Sequence, residues 1–263
     1  MDLSLSGKVA IVCAASKGLG RAAALALARE GAKVAICARG PDTLARTAEE
    51  IRQATGAEVL PVVADVSVRE DVARLVTETV RHFGGLDILV TNAGGPKSGP
   101  FSSLSEEDWR EAVDQLLLSA VRLCAEAVPH LKRRGGGRII HVTSVAVKQP
   151  VDNLMLSNAV RAAVVGFAKT LANELAADHI LVNCVAPGYT RTDRVRELLQ
   201  AGARREGVDE AAIERRLVAG IPLGRMGEPD EFGAVVAFLA SARASFITGS
   251  VIAIDGGSVK GLL

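Results

Sequence analysis

The chain has 263 residues, with 31 basic and 30 acidic side chains for a net charge of +1, and only 3% of its residues are aromatic. That balance offers neither the basic footprint nor the stacking platforms of a nucleic-acid binder. No apolar run reaches the 18 or so residues of a membrane span, and the opening stretch MDLSLSGKVAIVCAASKG lacks the basic region and cleavage site of a secretory signal, so a soluble, cytoplasmic chain is expected. In chain order, short β-rich apolar runs alternate with helical patterns. Strands are predicted at 8–14, 33–38, 59–64, 86–93, 138–144, 180–186 and 250–256, and helices at 18–30, 43–55, 68–82, 105–134, 153–178 and 229–242. The strand runs lack polar alternation, as parallel strands covered on both faces do. Ser67-x-x-Glu70 and Ser105-x-x-Asp108 have the form of capping boxes and mark helix starts. The βα alternation predicts an α/β fold, a Rossmann-type doubly wound seven-stranded parallel sheet with helices on both faces, in one domain over 1–263. Cys13, Cys37, Cys124 and Cys184 show no CxxC or Cys/His spacing, which predicts neither a disulfide nor a metal site.

The first strand-to-helix turn carries the earliest functional signal. Gly18-x-Gly20 follows a strand and opens a helix, and a second strand comes within about 30 residues, the context a dinucleotide fingerprint requires. Glycines let backbone approach a pyrophosphate there, and the helix N-terminus attracts it with unpaired N–H groups.

Further motifs stand at later strand ends: TNAGG (91–95), TSVA (143–146), NCVAPGYTRTD (183–193) and FLASARASFITGSVIAIDGG (238–257). Together they resemble the short-chain dehydrogenase/reductase family over 5–258, with a pattern similar to its 3-oxoacyl-(acyl-carrier-protein) reductases. The resemblance implies a cofactor cradle at Ala14, Ser16, Lys17, Gly18, Leu19 and Gly20, although Cys13-Ala14 stand where the family pattern has Thr-Gly. It implies adenine contacts at Asp65 and Val66, a loop at Asn92, Ala93 and Gly94, and a nicotinamide-flanking segment at Pro187, Gly188, Thr190 and Thr192. NAD readers place a carboxylate at the end of the second strand, whereas this chain has Ala38 and then Arg39. With Lys17 nearby in sequence pattern, NADP(H) is expected in preference to NAD(H).

The family carries a serine after its fifth strand, a tyrosine thirteen residues on, a lysine four beyond that, and an upstream asparagine. By the same spacing this chain has Ser144, Ser157, Arg161 and Leu116. Ser144, Ser157 and Arg161 are therefore the candidate catalytic residues, with Arg161 also a candidate for the nicotinamide ribose. Serine is far less acidic than a phenol, and arginine is a pure donor that relays no proton. Three activities stay open: an oxidoreductase interconverting a carbonyl and an alcohol with an altered proton donor, a nucleotide-binding sensor or partner subunit, and a repurposed lyase or epimerase site. The expected partner is a small-molecule carbonyl or alcohol, acyl thioesters included, with no nucleic acid and no membrane. Tyr189, the one tyrosine, and the rim lysines Lys97 and Lys148 are the few groups that could substitute for the lost acid. The charged helical stretch at about 194–221 resembles the family's substrate lid. Members of the family pair through the helices that match 105–134 and 153–178, the latter here with a Val164, Phe167, Leu171 stripe, so the resemblance implies a homodimer or homotetramer.

Overall fold

Along β1 (Val9–Val12), successive side chains leave the sheet on opposite faces. Val9 and Ile11 join one apolar cluster, and Ala10 and Val12 join another. Both faces must therefore be covered, and the computed structural model, which describes residues 2–262, shows how. The other strands are β2 (Lys33–Ala38), β3 (Val59–Val63), β4 (Ile88–Thr91), β5 (Gly137–Val142), β6 (Ile180–Pro187) and β7 (Val251–Ile254). All pair in parallel, in the order β3-β2-β1-β4-β5-β6-β7. This is the doubly wound arrangement expected from the sequence.

The helices are α1 (Gly18–Arg29), α2 (Pro41–Thr55), α3 (Arg69–Phe83), α4 (Glu106–Ala112), α5 (Ser119–Arg133), α6 (Met155–Leu175), α7 (Asp193–Glu206), α8 (Glu210–Ala219) and α9 (Pro229–Ala240). Leu27, Leu44 and Phe232 bring α1, α2 and α9 onto one face of the sheet. Leu75, Leu123 and Ala168 bring α3, α5 and α6 onto the other. Among the described residues, no helix is long and apolar enough to cross a membrane.

Three expectations change in detail and one holds. The helix predicted at 105–134 is interrupted: residues Val113–Leu118 widen into a π-helical turn between α4 and α5. The Ser105 box forms, with Asp108 N–H donating to Ser105 Oγ at 3.2 Å and Ser105 N–H donating to Asp108 Oδ2 at 2.8 Å. The Ser67 box does not, because the Ser67 hydroxyl donates instead to Asp65 Oδ1 at 2.7 Å and α3 starts after an uncapped Val68. Finally, the α6 stripe turns inward: Val164 is buried, and Phe167 and Leu171 pack half-buried against the cluster beneath the sheet. The single chain covers that stripe in part.

At the amino ends of the strands, Asp87 is buried and ties three elements together. It accepts from Val9 N–H at 2.9 Å and makes ion pairs with Lys8 at 3.3 Å and Arg134 at 3.2 Å. Burial alone would raise its carboxyl, but the Val9 N–H, the Arg134 guanidinium and Lys8 hold it below the usual range.

At the opposite ends, the turn after β1 is under strain. Ala14 has φ of +47°, a left-handed conformation that costs an L-residue about 1–2 kcal/mol. The turn must bend this way because α1 begins close behind it: a Cβ on Gly20 would lie 2.3 Å from the Ala14 carbonyl oxygen. The two positions should thus respond oppositely to similar changes. Ala14→Gly is expected to stabilise the fold by about 0.5–1 kcal/mol after the extra freedom of glycine in the unfolded chain is subtracted. Gly20→Ala should destabilise it by about 1–3 kcal/mol. Urea denaturation of both variants checks the pair; loss of stability in Ala14→Gly would show that the turn is relaxed.

Candidate active site

Strand order reverses between β1 and β4, so the chains leaving their carboxyl ends diverge and open a crevice. A cavity of about 1050 Å³ occupies it. Ala14, Ser16, Lys17, Gly18 and Leu19 line it from the first turn; Arg39, Asp65 and Val66 from the ends of β2 and β3. Asn92, Ala93 and Gly94 come from the loop after β4, and Pro187, Gly188, Thr190 and Thr192 from the segment ending β6. Ser144, Ser157 and Arg161 lie on the same wall system, after β5 and on α6. Of the predicted site residues only Gly20 is off the wall; it is buried, and its role is the close approach of α1 to the Ala14 carbonyl.

Charge is distributed unevenly around this space. Helices α2, α3, α4, α7, α8 and α9 each carry acid in their first turn, which offsets the positive end of the helix dipole. Helices α1 and α6 carry none, and neither has a side-chain cap. Both point uncompensated N–H groups toward the cavity side, where Gly18 and Leu154 line it. Lys17, the N-cap of α1, is exposed. Arg39 is 78% exposed along its side chain and sits 3.8 Å from Asp65, an exposed pair worth little in water.

The α6 pair is different in kind. Ser157 and Arg161 are 7% and 9% exposed, one helical turn apart on one face. Arg161 Nη1 donates to the Val142 carbonyl at 3.0 Å, and burial brings its guanidinium down to about 10, still charged at neutral pH. Ser144 Oγ accepts from Ala146 N–H at 3.2 Å, which leaves its own hydrogen free to donate. This floor is rich in donors.

The substitutes considered from the sequence separate here. Tyr189 lines the cavity, with its phenol pushed up by burial and by the charge of Asp152. Lys97 is committed elsewhere: its ammonium donates to both oxygens of Asp108, at 3.0 and 2.8 Å, pinning the loop to the start of α4. Lys148 is not on the wall. Leu116 is buried in an apolar cluster with Ala112, Leu156 and Val160, away from the wall.

Sequence reading missed the face of α4 and of the turn that follows it. Glu107, Glu111 and Asp114 line the cavity at helical spacing, a signal present in the sequence but indistinguishable from an ordinary solvated face. It also missed Arg194 of α7, whose Nη2 donates to Ser98 Oγ at 3.2 Å and links α7 to the loop after β4.

A family model described as enoyl-(acyl carrier protein) reductase matches residues 13–259. The chain belongs to the short-chain dehydrogenase/reductase family. Among its relatives, a rabbit (Oryctolagus cuniculus) dehydrogenase/reductase SDR family member 4 is 36% identical over 255 residues, covering 97% of this chain and 94% of the relative. A 3-oxoacyl-(acyl-carrier-protein) reductase from Thermotoga maritima is 35% identical, over 98% of this chain and 100% of its own length. The L-sorbose reductase of Gluconobacter frateurii, solved with NADPH and L-sorbose, superposes with a TM-score of 0.95 at 36% identity over 100% of both chains. An actinorhodin polyketide ketoreductase variant solved with NADPH gives 0.92 at 32% identity, over 97% of this chain and 98% of that one.

Behind the family's crevice, His141 on β5 is fully buried. Its Nδ1 lies 2.8 Å from the hydroxyl of Thr91, the residue before Asn92, and its ring meets Phe167 edge-on. Burial lowers its imidazole to about 4, so it stays neutral in the fold while the unfolded chain takes up a proton near 6.5. The unfolded state then binds more protons between those values, and stability must fall as pH drops through that window. Denaturation at pH 5 against pH 7.5 should show a loss of about 2 kcal/mol from this group, and His141→Gln should flatten the dependence. An unchanged slope in that variant would shift the effect to other groups.

Proposed function

We propose that this chain is an NADP(H)-linked oxidoreductase that interconverts a carbonyl and an alcohol, resembling 3-oxoacyl reductases in pattern, with an altered proton donor. The observation that carries the reading is one continuous cavity joining a cationic end without a β2 carboxylate, at Lys17 and Arg39, to the donor-rich floor of Ser144, Ser157 and Arg161. The NADPH in the two neighbouring structures supports the choice of dinucleotide.

The residues fit such a cofactor. The acid-free N-terminus of α1 suits a pyrophosphate, and the left-handed turn at Ala14 and Gly18 keeps side chains clear of it. Arg39 and Lys17 would take a 2′-phosphate, which replaces the weak Asp65 pair with a charge-assisted one. Asp65, Val66 and the Asn92, Ala93, Gly94 loop would border the adenine side, and Pro187, Gly188, Thr190 and Thr192 the nicotinamide side. When bound, the nicotinamide supplies or accepts the hydride. Ser144 and Ser157 donate hydrogen bonds to the substrate oxygen, and Arg161 adds a fixed positive charge to the same floor. None of these groups is an acid near neutrality, so the net proton comes from water. Losing a positioned general acid typically costs 10²–10⁴-fold, roughly the handicap expected against generic ketones. Helices α7 and α8 act as a substrate lid within the single domain, with Arg194 holding α7 to Ser98.

The missing acid favours a second reading, a catalytically impaired nucleotide sensor or partner subunit. Two measurements test the pair. NADPH should bind about tenfold or more tightly than NADH by calorimetry, and Arg39→Asp should erase the difference; equal affinity in the unmodified protein sinks the assignment. The double change Ser157→Tyr with Arg161→Lys should raise turnover of a generic ketone about 10–100-fold by restoring a phenol beside an ammonium. Tight NADPH binding with no turnover in either protein decides for the sensor.

A further inference from the structure

The cavity floor holds a buried cation with no anion beside it. Arg161 is 9% exposed, it donates to the neutral Val142 carbonyl, and among the described residues no carboxylate makes an ion pair with it. The same protein treats its buried carboxylate, Asp87, differently, surrounding it with Lys8, Arg134 and the Val9 N–H. An arginine carries five donors, and a buried charge is costly until it is paired. The polar side chains that share this floor are further donors, and the acids Glu107, Glu111 and Asp114 of the cavity wall come from α4 and the turn after it. The Ser144 hydrogen is free, Ser157 shares the helix face, and the uncapped N-terminus of α6 adds its partial positive charge. Asp152, two residues ahead of that terminus, is exposed and off the wall. Val145, Val151 and Leu154 supply the apolar lining nearby.

We propose that the substrate bears a carboxylate that pairs with Arg161 at the cavity floor, making it a short oxo acid or the corresponding hydroxy acid. One buried guanidinium matches one negative charge, and its planar fork suits the two oxygens of a carboxylate. A phosphate dianion would call for a second buried cation, and Arg194, another arginine on the wall, is half exposed. The assignment rests on the oxidoreductase reading for its reaction, whereas the anion site rests on Arg161 itself.

The test is calorimetry on protein saturated with NADPH, which occupies Lys17 and Arg39. Two matched pairs are titrated: butyrate with 1-butanol, neither of them reducible, and acetoacetate with its methyl ester. Each acid should bind about tenfold or more tightly than its neutral partner, and Arg161→Gln should abolish the preference. A far-UV circular dichroism spectrum matching that of the unmodified protein shows that the variant folds, and the acid-to-neutral comparison on the unmodified protein needs no variant. Equal affinity for acid and neutral, or no binding of either, overturns the proposal, as does an acid preference that survives Arg161→Gln. The reaction is scored separately. Acid binding through Arg161 with no NADPH consumed from acetoacetate keeps the anion site and removes the oxidoreductase reading; equal consumption from acid and ester does the reverse.

Discussion

Everything in this molecule follows from the requirement that parallel strands be joined by crossovers. Each crossover lays a helix on one face, so every strand-to-helix turn emerges on the same rim, and the reversal of order at β1 and β4 splits that rim into a crevice. The apolar clusters on the two faces fix the sheet, and the sheet fixes where the turns emerge. Residues far apart in sequence, such as Lys17, Arg39 and Arg161, thereby face one space without needing any contact with one another.

The two ends of the sheet do opposite work. At the amino ends a buried carboxylate is neutralised by two cations and a backbone N–H, and nothing there asks for a ligand. At the carboxyl ends two helix starts are left without acids, a turn is held at positive φ by a non-glycine residue, and a guanidinium is buried against a single carbonyl. Such unrelieved features concentrate where function is expected, since each lowers stability unless a ligand relieves it.

The fold was legible in the sequence because burial on both faces leaves runs without alternation, and seven of these appeared in the correct order. The cavity wall was legible largely through motif spacing at strand ends. What escaped was set by choices the one-dimensional pattern does not encode. Ser67 could cap a helix or serve Asp65, and only the position of Asp65 decides. Glu107, Glu111 and Asp114 look like a solvated face until the sheet brings a cavity against them. Val164, Phe167 and Leu171 form an apolar stripe whichever surface they cover, sheet or second subunit. Lys97 looked available until Asp108 was found beside it.

The π-helical turn at Val113–Leu118 has a geometric result of its own. A wider turn absorbs about one extra residue, so side chains beyond it are rotated by roughly 100° relative to an uninterrupted α-helix. Ahead of the turn, the rod shows Glu107 and Glu111 to the cavity, and the turn itself adds Asp114; beyond it, Ala120, Leu123, Ala127 and Leu131 face the core. One rod thereby serves two surfaces whose bearings a regular helix could not satisfy together. Removing a single residue from this segment would not merely shorten it: the screw would lose its phase, and either the acidic face would swing off the crevice or the apolar face would swing off the sheet.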